Sequence, residues 1–372
     1  MLEFGLALLL GLGVGGGADL HEGLEREGDG VRFGLADPDR PPPEEGGFVI
    51  DAGEVIRGTF RSPHGDRAYR LYLPPPEAVT APEPTGHPGM VAVPTEPPAT
   101  PADPRAPLLV LLHGCTQDAD DFARGTRMDR LARERGVAVL YPEQSTAANA
   151  TRCWNWFEPG HQARGRGEPA LLAALIEQTV RDRDLDPERV FVAGISAGGA
   201  MAAILAASYP DRIAAVASHS GVPFGAARGL EEALGVLDGS VESPPHDLPE
   251  TLLAQMGERA RPVPMLVLHG ERDEVVSPRN ADWFAAQWSR YLARVTGAPT
   301  VEELNPLRQG AGPGTRIRVL KGISGELYFE MWRIAELGHA WSGGSEEGSY
   351  TDPAGPDASR IVMEFFLDRR AR

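Results

Sequence analysis

Lysine is almost absent from this 372-residue chain: Lys321 stands alone, and arginine supplies every other basic side chain. Beside abundant Ala, Gly and Pro, that bias reflects overall composition rather than an arginine-based function. Positive charge is short overall. Lys and Arg number 36 against 53 Asp and Glu, giving a net charge of −17. A nucleic-acid or anionic-membrane partner needs a basic footprint, so that balance excludes both. There are only two cysteines, Cys115 and Cys153, which excludes a zinc-type cysteine cluster and leaves one disulfide or two thiols open. Long apolar runs are missing as well. The stretch "FGLALLLGLGVGGGADL" is too short and Gly-rich for a stable membrane span. It has the apolar run and small-residue end of a signal peptide, but Glu3 stands where basic residues belong. A cleaved leader and a short helix both fit it.

What is present is an alternation of strands and helices. Residues 1–47 read as leader and linker, and 48–372 as one catalytic domain. "VIRGTFRS" and "RAYRLYLP" alternate apolar and polar side chains, as half-buried strands do. A Pro-rich loop insertion covers 74–107. "PLLVLLHG", "VAVLYPE", "RVFVAG", "IAAVASHSG" and "PVPMLVLHG" are apolar runs suited to strands buried on both faces of a parallel sheet. Between and after them lie predicted helices: "DADDFARGTRMDRLARERG", "PALLAALIEQTVRDRD" with Pro169 in its first turn, "GGAMAAILAASYP", "NADWFAAQWSRYLARV" and "ASRIVMEFFLDRR". "TRIRVLKG" and "ELYFEMWRIAELG" pair as strands, and 228–261 is expected to be helical and to border the cleft. The pattern predicts an α/β fold with a mostly parallel central sheet and helices on both faces.

In "RVFVAGISAGGAMAAILAASYPDR", Gly194, Ser196 and Gly198 form G-x-S-x-G between a buried strand and a helix. That is the setting of a nucleophile elbow. The turn is tight, so the serine's neighbours lack bulk. Its hydroxyl stands clear of the sheet at the positive end of the next helix. The Ala197 N–H faces the same space and can stabilise an oxyanion. A serine needs a base, and in this arrangement acid and histidine follow in that order. Asp273, in "VLHGERDEVVSP", follows a buried strand, and Val275 and Val276 should pin its loop while Glu271 and Glu274 face water. Among later histidines, His246 in "SPPHDLP" is expected to be solvent-exposed, His269 to be structural and His219 to end a strand, where it can line the cleft. His339, in the Gly-flanked "LGHAWSGG", follows the acid. An ordinary imidazole pKa of roughly 6.5 suits base and acid work near neutrality. "LLHGCTQ" offers the Cys115 N–H as second oxyanion donor, on a loop shaped by His113 and Gly114.

Together, "LLHGCTQDADDFARGTRMDRLA", "YPEQSTAANATRCWNWFEP", "VFVAGISAGGAMAAILAASYPD", "SHSGVPFGAA", "VLHGERDEVV" and "GHAWSGGSEEGSYTDPAGPDASRIVMEFF" resemble the polyhydroxybutyrate depolymerase family of esterases. The branch is the short-chain-length polyhydroxyalkanoate depolymerase catalytic domain, related to acetylxylan and feruloyl esterases. The resemblance runs from Phe48 to Asp368 with gaps. It implies an α/β-hydrolase fold, Ser196 as nucleophile, Asp273 as orienting acid, His339 as base, and an oxyanion hole at Cys115 and Ala197. It also implies a Cys115–Cys153 disulfide and with it an extracellular or periplasmic location. Trp154, Asn155 and Trp156 beside Cys153, and Trp341 two residues past His339, are candidate substrate contacts, with Phe157 beside them.

The expected reaction is ester hydrolysis through an acyl-enzyme, with no metal and no cofactor. The family's polymer-degrading members carry a binding domain after the catalytic one, and this sequence ends soon after Phe366, so soluble oligoesters or small esters are the expected substrates. An acetylxylan or feruloyl esterase is the alternative. A serine peptidase of the same fold would need a further cap or propeller domain. An inactive binding protein on the same scaffold would have no use for the Ser, Asp and His set. The sequence leaves the oligomeric state open.

Overall fold

Leu108–Leu112 (β3) shows why the central runs are apolar without a break. Leu108, Val110 and Leu112 enter one core, and Leu109 and Leu111 enter another on the opposite face. A strand with both faces covered has no polar side to display. The computed structural model describes residues 53–76, 105–298, 300–305, 310, 312, 314–367 and 369–371. The expected leader and most of the expected Pro-rich loop lie outside the described residues.

A hairpin of Glu54–Ser62 (β1) and Gly65–Leu73 (β2) opens the sheet. Ala138–Glu143 (β4), Val190–Ile195 (β5), Ala215–His219 (β6) and Met265–Gly270 (β7) follow, then Val301–Leu304 (β8), Arg316–Lys321 (β9) and Leu327–Ile334 (β10). They hydrogen-bond in the order β1-β2-β4-β3-β5-β6-β7-β10-β9-β8. From β4 through β10 the neighbours are parallel. The pairs β1–β2, β2–β4, β10–β9 and β9–β8 are antiparallel. This is the α/β-hydrolase fold. The chain leaves β3 for β4 on one side and returns to β5 on the other. The reversal opens a crevice at the carboxyl ends of β3 and β5, the usual ligand site in such sheets.

The helix Ala197–Ser208, "AGGAMAAILAAS", is buried along its whole length. A helix apolar on every side belongs in a core, and its small residues let it lie close against the sheet. The segment 228–261 contains two helices, Leu230–Asp238 and Leu248–Met256. The first is tied to the loop after β7, because Ser277 N–H donates to Leu237 O and Asn280 Nδ2 to Val236 O.

Two expectations change. "DADDFARGTRMDRLARERG" is two helices, Ala119–Thr126 and Met128–Arg135, broken at Arg127 with φ +50°. Thr126 Oγ1 bonds back to Phe122 O, and the Arg127 guanidinium donates to Gly343 O and Gly344 O. Long-range contacts to the loop after His339 therefore override local helical spacing. The edge strand β8, "VEEL", was not foreseen: it is short and almost wholly exposed, and its two apolar residues do not alternate with its acids.

Candidate active site

Ser196 directly follows β5 and caps the helix Ala197–Ser208 at φ +57°, ψ −125°. That is costly for a residue with a Cβ, about 1–3 kcal/mol. Packing enforces it. A Cβ on Gly194 would meet Gly198 C at 2.4 Å, and one on Gly198 would meet Leu112 O at 2.1 Å. Both glycines are thus required for the helix start to close onto β3. Ser196 N–H donates to His219 O at 2.9 Å, and Ser196 O accepts from Ala200 N–H.

The loop after β3 reaches the same point. A Cβ on Gly114 would lie 3.5 Å from Ser196 Cβ. Buried His113 braces the loop from within: Nδ1 contacts Gly114 O at 2.7 Å, and Nε2 accepts Gln144 N–H at 3.0 Å. Gln117 Oε1 accepts Gly114 N–H. Among the described residues, neither Cys115 N–H nor Ala197 N–H donates to a protein acceptor, so both are open to an oxyanion.

A disulfide joins Cys115 to Cys153. Buried Glu168 then fixes the segment after Cys153, accepting from Asn155 N and Nδ2 at 2.8 Å each and from Gln144 Nε2. The bridge closes a span of 38 residues. By loop-closure entropy it stabilises the fold by about 4 kcal/mol. The double variant Cys115→Ser, Cys153→Ser is expected to lose that amount in urea unfolding, and parental stability would contradict the estimate.

Asp273 follows β7 and is 4% exposed. His339 Nδ1 lies 2.9 Å from Asp273 Oδ2 and 3.1 Å from Oδ1. Oδ1 also accepts Val275 N–H at 3.0 Å and Val276 N–H at 2.8 Å. The loop is pinned by these backbone donors and by buried Val276. Val275 itself is 40% exposed and does not pack, contrary to expectation. Burial opposes ionisation of Asp273, but His339 and His269 outweigh it and hold the carboxyl far below its ordinary range. His269 is buried, with Nε2 2.8 Å from Val276 O and 3.5 Å from Asp273 Oδ2. The His339 loop crosses the end of β7 so closely that a Cβ on Gly270 would meet Leu337 O at 2.1 Å.

His219 links the serine to this loop. Its carbonyl holds Ser196 N–H, and its ring Nε2 accepts Ser342 N–H at 3.2 Å. That acceptor role needs a neutral ring, and burial, then the neighbouring His269 and His339, lower its pKa to about 3. Burial lowers that of His113 to about 4. The unfolded chain takes up both protons below about pH 6.5, so stability is full above that pH and falls below it. About 4 kcal/mol should be lost between pH 6.5 and 4.5. Urea unfolding at the two pH values checks this, and a flat profile would contradict neutral buried rings. His246 is half-buried rather than exposed, and its Nε2 lies 2.9 Å from Glu232.

The aromatic wall expected around the cleft is core instead. Trp154 is 0% exposed and donates its indole N–H to His113 O. Trp156 is buried and edge-on to Phe157. Trp341 is 1% exposed, stacks on His219 and donates to Ser359 Oγ. Each large ring removes more apolar area from water inside than it would at a cleft rim. Asn155 is half-buried, with its amide engaged by Glu168 and Asn149. Sequence reasoning missed Gln117, Glu168, Thr116 and Tyr350. Gln117 and Thr116, in "LLHGCTQ", and Tyr350, in "GSYTDP", lay within stretches already singled out, whereas Glu168 did not. Among the described residues no group of His, Cys, Asp and Glu could hold a metal ion, and no helix is long and apolar enough to cross a membrane.

The family model described as "Esterase PHB depolymerase" matches residues 93–305. A poly(3-hydroxyalkanoate) depolymerase C of Paucimonas lemoignei is 31% identical over 243 residues, 63% of this chain and 55% of that protein. The chain thus matches about half the length of that relative. A feruloyl esterase B of Thermothelomyces thermophilus is 30% identical over 213 residues, 53% of this chain and 71% of that protein. An acetyl xylan esterase from Aspergillus awamori shares the fold with a TM-score of 0.60 at 19% identity, covering 85% of this chain and 98% of that one.

Proposed function

Because the chain belongs to the esterase PHB depolymerase family, we propose that it is a serine esterase that cleaves carboxylic esters through an acyl-enzyme at Ser196. The observation that carries the reading is the contact of His339 Nδ1 with both Asp273 oxygens, made two strands from a serine held in a strained elbow. Asp273 fixes the His339 tautomer, leaving Nε2 to act as base. His339 takes the Ser196 proton while Oγ attacks the ester carbonyl. The oxyanion forms against Cys115 N–H and Ala197 N–H. His339 then protonates the leaving alcohol, and water frees the acid by the reverse sequence.

The proposed substrates are hydroxyalkanoate oligomers, in keeping with the similarity to a poly(3-hydroxyalkanoate) depolymerase. A second reading is a carbohydrate esterase acting on feruloyl or acetyl groups, favoured by the similarity to a feruloyl esterase over 71% of its length. The disulfide supports work in an oxidising compartment, extracellular or periplasmic. Mass spectrometry of products from 3-hydroxybutyrate oligomers and from acetylated and feruloylated xylan fragments tests the choice. Release of 3-hydroxybutyrate supports the first reading. Release of acetate or ferulate moves the protein to the second, and no release from any of them contradicts both.

A further inference from the structure

With Trp154, Trp156 and Trp341 buried, substrate contacts fall to other side chains on the loops that carry Cys115 and His339. Thr116 is exposed and directly follows Cys115, the proposed oxyanion donor. Tyr350 is half-buried, and its ring stands edge-on to that of His339 with centroids 6.3 Å apart. The two hydroxyls meet at 3.3 Å, bridging the oxyanion loop and the histidine loop across 234 positions of sequence. Both residues have left-handed backbones, φ +66° and +51°, which β-branched and aromatic residues avoid.

Their backbones are firmly held. Thr116 N–H donates to Thr151 O, and Tyr350 O accepts Trp341 N–H, each at 2.7 Å. The contact between the hydroxyls is looser. Thr116 O–H is 2.6 Å from Cys115 O, so its lone pairs remain to accept. The contact to Tyr350 is longer than the usual hydroxyl hydrogen bond, and a well-placed ligand oxygen would improve on it. Strained backbones carrying a long hydroxyl–hydroxyl contact point to a pre-organised contact that a ligand can use.

The chemistry fixes which end of the ester lies there. His339 protonates the leaving alcohol, so the alcohol lies against His339, on the Tyr350 side. We propose that the Thr116–Tyr350 hydroxyl pair recognises a polar oxygen on the alcohol portion of the ester. That oxygen is a carbonyl or terminal carboxylate oxygen in a hydroxyacid oligomer or a neighbouring hydroxyl in a sugar ester. The assignment rests on Ser196 and His339 being the reacting pair.

The test compares kcat/KM for a 3-hydroxybutyrate dimer and an acetylated xylo-oligosaccharide with that for propyl acetate, whose alcohol has no second oxygen. Loss of one hydrogen bond to substrate corresponds to about tenfold. In Tyr350→Phe and Thr116→Val the preference for a polar alcohol over propyl acetate should fall about tenfold, with thermal melting confirming folded variants. A fall for the dimer marks a hydroxyacid alcohol as the ligand, and a fall for the sugar ester a carbohydrate one. Parental preference in both variants overturns the inference while leaving the esterase reading intact. A parent inactive on all three overturns the esterase reading and this inference together.

Discussion

Ser196→Ala is expected to lower kcat for ester hydrolysis by about 10⁴- to 10⁶-fold, with the fold retained. The size follows from the site's division of labour. Ser196 is held in the strained elbow after β5, and the N–H groups of Cys115 and Ala197 have no protein acceptor among the described residues. Without Oγ no acyl-enzyme forms. The proposed oxyanion donors at Cys115 and Ala197 remain and should sustain only the slow attack of water. The methyl group of alanine occupies the place of Ser196 Cβ, so Gly194 and Gly198 keep their contacts. Steady-state kinetics beside thermal melting check this. Activity within tenfold of the parent would remove Ser196 from the reaction.

Asp273→Asn is expected to lower kcat by about 10⁴-fold for a different reason. Oδ1 of Asp273 is committed to the N–H groups of Val275 and Val276. An asparagine therefore keeps its oxygen there and turns its NH₂ toward His339 Nδ1. The ring must then accept at Nδ1 and carry its proton on Nε2, the tautomer that cannot take a proton from Ser196. KM should change little, because Asp273 is buried away from substrate. A smaller loss in Asp273→Ala, whose methyl group enforces neither tautomer, would fit the tautomer account. Near-parental kcat in Asp273→Asn would contradict it.

The central strands were legible because a parallel sheet covered on both faces admits only apolar runs such as "LLVLL" and "MLVLHG". The serine turn was legible because local sterics set its glycines. Chain order suggested Asp273 and His339, which the structure joins directly. What escaped was set by distant contacts. Gly343 and Gly344 hold the Arg127 break, and Thr116 meets Tyr350 with no local pattern to announce it. The tryptophans misled because aromatic residues in a loop sequence look alike whether they end up at a cleft or in the core. His219 was read as a cleft residue, yet its buried ring and carbonyl tie the serine turn to the histidine loop. The exposed edge strand Val301–Leu304 had no alternation to read.

The central claim is that Ser196 is an activated nucleophile, and a fluorophosphonate probe tests it most directly. Intact-mass analysis of the probe-treated chain should show one adduct, mapped by peptide sequencing to Ser196 and absent from Ser196→Ala. No adduct, or an adduct on another residue, would contradict the account.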